Sequence, residues 1–211
     1  MTESKAQMLL TAVFHCIAIF VAFSVIVAVF SKEKLILLAF HPVFMSIGVL
    51  LLMSEALVVY KFDPHKDWGV KRRTHASLQI GSGVCIIMGV ITIFSVKIKY
   101  RLSAIPSSIH EVCGILVFMM VIFQVVMGWR KYHGLDQHST INKYHPKLGL
   151  GIYGFAILTV CFGIGEMFEG NMTATALLVV FVLVLAGFIT YVWWPPKSRP
   201  DSGAYTAMSA L

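Results

Sequence analysis

Six long apolar blocks, broken only by short polar stretches, run along the 211-residue chain. They lie near 8–30, 35–60, 75–96, 109–128, 145–167 and 173–194. A helix needs about 20 mostly apolar residues to cross a bilayer, and each block supplies them. The pattern predicts an all-α membrane protein with six transmembrane helices. Residues 1–197 form one transmembrane domain, and SRPDSGAYTAMSAL, 198–211, forms a small, polar, flexible tail in which Tyr205 has the setting of a sorting signal. Aromatic residues mark block ends, with Trp129 and Tyr132 after the fourth and Tyr191, Trp193 and Trp194 at the sixth. Glycines recur at close-packing intervals, as in Gly81 and Gly83, and in Gly149, Gly151 and Gly154. The opening MTESKAQ and its apolar continuation lack a short signal-type core and a small-residue cleavage site, so they read as a retained helix.

Composition agrees: 58% of residues are hydrophobic and only 13% charged. Little chain lies outside the blocks, which excludes a separate soluble catalytic domain. Cys16, Cys85, Cys113 and Cys161 all fall within apolar blocks, as buried thiols do. No disulfide framework follows, and no Cys-x-x-Cys-His is present to attach a c-type haem. The net charge of +7 orients the chain rather than recruiting nucleic acid. Eleven Lys and Arg residues lie on the side carrying both termini, against five in the opposite loops, which predicts cytoplasmic termini. Asn171-Met172-Thr173, the only Asn-x-Ser/Thr sequon, falls on the opposite side. The compartment is expected to be an endomembrane or the plasma membrane.

Four of the eight histidines stand near the starts of successive spans: His41, His75, His110 and His145. Their intervals of 34, 35 and 35 residues each equal one crossing plus one loop, so successive histidines alternate between faces. His41 pairs with His110 toward the outer face, and His75 with His145 toward the cytoplasm. His75 and His145 are expected at the very start of their spans, with His41 about six residues, roughly 9 Å, further in. Proline follows two of them, at Pro42 and Pro146; a helix start accounts for the second, and a local bend aiming His41 for the first. His65, His133 and His138 belong to loops. His15 reads as an interhelical hydrogen-bonding residue, and Glu55 takes no assignment.

Ionisable side chains inside spans are costly and usually functional. Zinc needs at least three protein ligands even at a catalytic site, and neither pair has Cys, Asp or Glu at suitable spacing. Haem b fits better, because the porphyrin supplies four ligands and two histidines supply the axial pair. The sequence thus predicts helices two to five forming a four-helix core around two non-covalent haem b groups, with one-electron transfer as the role. Two alternatives stay open: a haem-bearing subunit of a quinone-linked complex, and a histidine-lined metal or proton transporter.

The segments FHPVFM with SEALVVYK, KRRTHASLQ, SSIHEVCG and NKYHPKLGLGIYG resemble the ligand-bearing segments of the cytochrome b561 family. That resemblance implies a six-helix, ascorbate-dependent transmembrane reductase with two haem b groups and a possible homodimer. It implies His41 and His110 on the outer haem and His75 and His145 on the cytoplasmic one. Lys61, and Lys71 or Arg72, match basic positions serving a haem propionate or ascorbate. Ser108 and Glu166 match outer-haem contact positions. Ser-Ile-His-Glu-Val around His110, together with Gln79, is similar to the short transmembrane-ferrireductase branch. The implied acceptor is ferric iron, a ferric chelate or monodehydroascorbate, with Lys97, Lys99 and Arg101 as a basic patch on that face or a juxtamembrane anchor.

Overall fold

The structure, a computed structural model, describes residues 3–32, 36–62, 67–134 and 141–193. The 198–211 tail with Tyr205, and also Trp194, His65 and His138, lie outside them. Helices run over α1 (Glu3–Lys32), α2 (Ile36–Met45), α3 (Ser54–Phe62), α4 (Trp68–Lys99), α5 (Ile109–Tyr132), α6 (Ile141–Met167) and α7 (Met172–Trp193). A π-helical segment, Ser46–Met53, joins α2 to α3, so the described chain makes six membrane-length helices. The protein is an integral, multi-pass membrane protein.

Helix ends follow local chemistry. Asp67 caps α4, its Oδ1 accepting from the amides of Gly69 and Val70. Ser108 caps α5 by accepting from the Glu111 amide at 3.2 Å, and Asn171 caps α7 by accepting from Ala174 at 3.0 Å. After α4 the chain turns through Arg101 at φ 53°, with Leu102 N–H reaching the Lys97 carbonyl at 2.8 Å and Arg101 N–H that of Ile98 at 3.2 Å. This is a Schellman turn with arginine where glycine is usual. Gly134 and Gly170, at φ 69° and 84°, follow α5 and α6.

The third span begins at Trp68, earlier than the expected 75. The Lys71-Arg72-Arg73 run interrupts apolarity but not helicity, since Lys and Arg are good helix formers and Asp67 supplies the cap. His75 therefore lies about two turns inside α4 rather than at its start, whereas His145 stands one residue into the Tyr144–Met167 span, as expected. Pro42 and Pro146 are both interior helix residues, so a helix start does not account for Pro146.

The span made by α2, the π segment and α3 packs on α4, α4 on α5, α5 on α6, and α6 back on the π segment. These four spans form a ring, and α1 and α7 pack together against α3 and, respectively, the π segment and α6. The π segment comes close to α4: a Cβ on Gly48 would stand 3.0 Å from Cys85 Cβ and 3.1 Å from the Ser82 carbonyl. A π turn replaces i→i+4 bonding and exposes carbonyls to other donors. Ser82 Oγ donates to Gly48 O at 2.8 Å and Ser54 Oγ to Val49 O at 3.3 Å. Ser54 also shares a 2.8 Å hydrogen bond with the hydroxyl of Tyr153, which is 2% exposed. The buried hydroxyls of Ser54, Ser82 and Tyr153 thus each have a partner, as burial demands. The large side chains left exposed, such as Phe20, Phe23, Ile80, Met119 and Phe123, suit contact with lipid.

Candidate haem-binding site

The four span histidines meet as two pairs. The rings of His41 and His110 lie 6.1 Å apart between centroids at an interplanar angle of 82°, and those of His75 and His145 lie 6.4 Å apart at 80°. Within the ring of four spans, each pair joins helices that are diagonal rather than adjacent. The imidazoles therefore converge on the bundle axis, one pair toward each end.

Backbone carbonyls fix three of the rings. His41 Nδ1 donates to Gly89 O at 2.9 Å, His75 Nδ1 to Ala56 O at 2.8 Å and His110 Nδ1 to Thr159 O at 2.9 Å. A ring whose Nδ1 carries the proton has Nε2 free to bind a metal. Glycines make room: a Cβ on Gly163 would stand 2.7 Å from His110 Cε1, and one on Gly128 would stand 3.4 Å from His145 Cε1.

These residues fit a haem. Two imidazoles sharing one metal at about 2.0–2.1 Å per bond place their ring centroids about 6 Å apart, as both pairs do. Among the described residues no group of three or more His, Cys, Asp or Glu gathers as a metal site. A two-imidazole site suits a metal that brings its own equatorial ligands.

The basic candidates cluster at the end that holds His75 and His145. Lys71 is 7% exposed and lies four residues before His75, so both project from one face of α4. Arg72 points elsewhere, donating to the Lys131 and Tyr132 carbonyls at the end of α5 and stacking over the Tyr132 ring at 4.5 Å. Lys61 Nζ lies over the Trp193 ring at 4.9 Å, and the Trp193 indole donates to Leu57 O at 3.0 Å. Lys131, to which the sequence pattern assigned no role, lies close enough for its charge to act on both His75 and His145. Its signal was helical: Gln124, Gly128 and Lys131 share one stripe of α5.

At the other end Ser108, two residues before His110, has its hydroxyl engaged as the α5 cap. Glu166 is exposed in the last turn of α6, three residues beyond Gly163. Lys97 pairs with Glu111 at 2.8 Å, and Lys99 lies over the Tyr100 ring at 5.5 Å, so the basic patch is partly neutralised. His15 and Glu55 pair with each other, His15 Nδ1 lying 2.8 Å from the carboxylate and tying α1 to α3.

Two diagonal histidine pairs inside a six-span bundle define a membrane cytochrome. The eukaryotic cytochrome b561 family profile matches residues 40–169, from just before His41 to beyond His145, and the chain belongs to that family. Membership implies haem b. The chain is 27% identical over 177 residues to transmembrane ascorbate ferrireductase 2 of Arabidopsis thaliana, covering 76% of each protein. It is 26% identical over 171 residues to the probable transmembrane reductase CYB561D1 of Mus musculus, covering 77% of this chain and 73% of that one. With the transmembrane ascorbate-dependent reductase CYB561 of Mus musculus it shares 26% identity over 130 residues, 60% of this chain and 52% of that protein, so it spans about half that relative's length.

Proposed function

We propose that this protein carries single electrons across the bilayer, from ascorbate at the cytoplasmic end to ferric iron, a ferric chelate or monodehydroascorbate at the other. The observation that carries the reading is the stacking of two diagonal histidine pairs at opposite ends of one bundle, with centroid separations of 6.1 and 6.4 Å. Relatives named for ascorbate-dependent reduction support the donor. His41 with His110, and His75 with His145, would each hold one non-covalent haem b group, which would supply one-electron chemistry when bound.

His75 and His145 hold the cytoplasmic group and His41 and His110 the outer one. Gly89, Ala56 and Thr159 keep the ring protons on Nδ1. Lys71, buried beside His75, receives the anionic donor or a propionate, and Lys131 adds positive charge at the same end. Arg72 serves this site indirectly by holding the end of α5. Lys61 lines the same end beside Trp193. At the outer end Ser108 and Glu166 flank the position of His110. The bundle's apolar packing excludes water between the two levels, and no solute crosses.

The test is reconstitution in sealed vesicles loaded with ascorbate, with ferricyanide outside as acceptor. The reading predicts external reduction by the wild type and its loss in both His41→Ala and His75→Ala. A colourless purified protein, or undiminished reduction in either variant, overturns it.

A further inference from the structure

Three of the four ligand histidines give their Nδ1–H to a backbone carbonyl on a neighbouring helix; His145 does not. Its Nδ1 is buried without a hydrogen-bond partner, and the only other such buried side-chain atom among the described residues is Gln124 Oε1. The two orphans belong to residues already joined, because Gln124 Nε2 donates to the His145 carbonyl at 2.7 Å. A buried donor and a buried acceptor left unsatisfied on two hydrogen-bonded residues cost about 1–3 kcal/mol each, so such a pair calls for a role.

The surroundings direct the Gln124 amide at His145. Gln124 lies one turn before Gly128, whose missing side chain admits the His145 ring at 3.4 Å. Across the interface a Cβ on Gly149 would stand 2.8 Å from Gln124 Nε2, so only glycine at 149 lets the amide approach α6 so closely. The terminal torsion of glutamine is broad, which allows Oε1 to turn toward the ring while Nε2 stays near the carbonyl.

We propose that Gln124 is the positioning residue for His145, its amide oxygen serving the ring Nδ1–H as backbone carbonyls serve the other three histidines, and that it sets the potential of the cytoplasmic haem apart from that of the outer one. This rests on the bis-histidine haem reading above. An acceptor on Nδ1–H raises the basicity of Nε2, and at His145 alone that acceptor comes from a side chain, which a substitution can remove. A more basic ligand favours the ferric state and lowers the midpoint.

The experiment is an optical redox titration of the purified holoprotein and three variants. Gln124→Met keeps the length and apolar bulk but removes both hydrogen bonds; it is predicted to raise the cytoplasmic midpoint by about tenfold in the ferric–ferrous equilibrium, which is 59 mV for one electron, leaving the outer component in place. Gln124→Glu keeps an acceptor and is predicted to return the midpoint to the wild-type value or below. Gly149→Ala displaces the amide without altering a polar group and is predicted to shift the same component in the Gln124→Met direction. Unchanged midpoints in Gln124→Met and Gly149→Ala, or equal shifts in both components, overturn the proposal. Methionine and glutamate shifting the cytoplasmic component alike also overturns it. A wild type without two haem components instead overturns the haem reading itself, so the two failures are distinguishable.

Discussion

Gly163→Ala provides a quantitative test of the proposal that His110 helps to seat an outer haem. The added Cβ would stand 2.7 Å from His110 Cε1, 3.0 Å from Nδ1 and 3.3 Å from Nε2. Ordinary contact begins at 3.4 Å, so the ring or the helix must yield by about 0.7 Å. The ring has little freedom, since its Nδ1 is bonded at 2.9 Å to Thr159, one turn earlier on α6. Metal–ligand distances tolerate about 0.2 Å, so a shift of this size would move His110 out of reach of a haem iron that it would hold. Overpacking of this kind costs roughly 1–3 kcal/mol, enough to lose a cofactor without unfolding a six-span bundle. The assay is haem content per purified chain together with a redox titration. The expected result is a fall from two haems to one, with the component assigned to His75 and His145 unmoved. Gly165→Ala on the same helix, where a Cβ meets nothing within 4 Å, is the control and is expected to keep both. Two haems with unchanged midpoints in Gly163→Ala would refute the reasoning.

Lys71→Ala is expected to raise the KM for ascorbate several-fold with haem content unchanged, because its buried charge lies on the His75 face of α4, whereas Arg72→Ala lowers thermal stability first, since Arg72 is bonded to the end of α5; steady-state kinetics and a melting curve separate the two. A double-mutant cycle on His15→Ala and Glu55→Gln, read as thermal stability in detergent, is expected to give a coupling of about 0.6 kcal/mol, the average for polar pairs between transmembrane helices. Asn171→Ala removes the α7 cap and is expected to cost about 1 kcal/mol by the same measurement.

Span number and the spatial pairing of the histidines were legible in the sequence because both depend on long-period patterns: about 20 apolar residues per crossing, and histidines returning at 34 or 35 residues. The start of α4 was misread because charge was taken to end the helix, whereas Asp67 and helix-favouring basic residues carry it back to Trp68. The π segment was invisible, since Ser46–Met53 is as apolar as any helix and its widened ladder depends on the approach of Ser82 from α4. The partners of the His41, His75 and His110 rings were also hidden, because Gly89, Ala56 and Thr159 act through carbonyls, which carry no side-chain signature. Glu55 had no assignment until α1 brought His15 to it, a contact between residues 40 apart that no local pattern announces.

The central claim is that His41 shares a haem with His110, and His75 with His145. Haem content of paired alanine variants tests it most directly. The account predicts two haems per chain in the wild type, one in His41→Ala/His110→Ala and one in His75→Ala/His145→Ala. It predicts none in His41→Ala/His75→Ala. One haem retained in that last variant, or none in either of the first two, would contradict it.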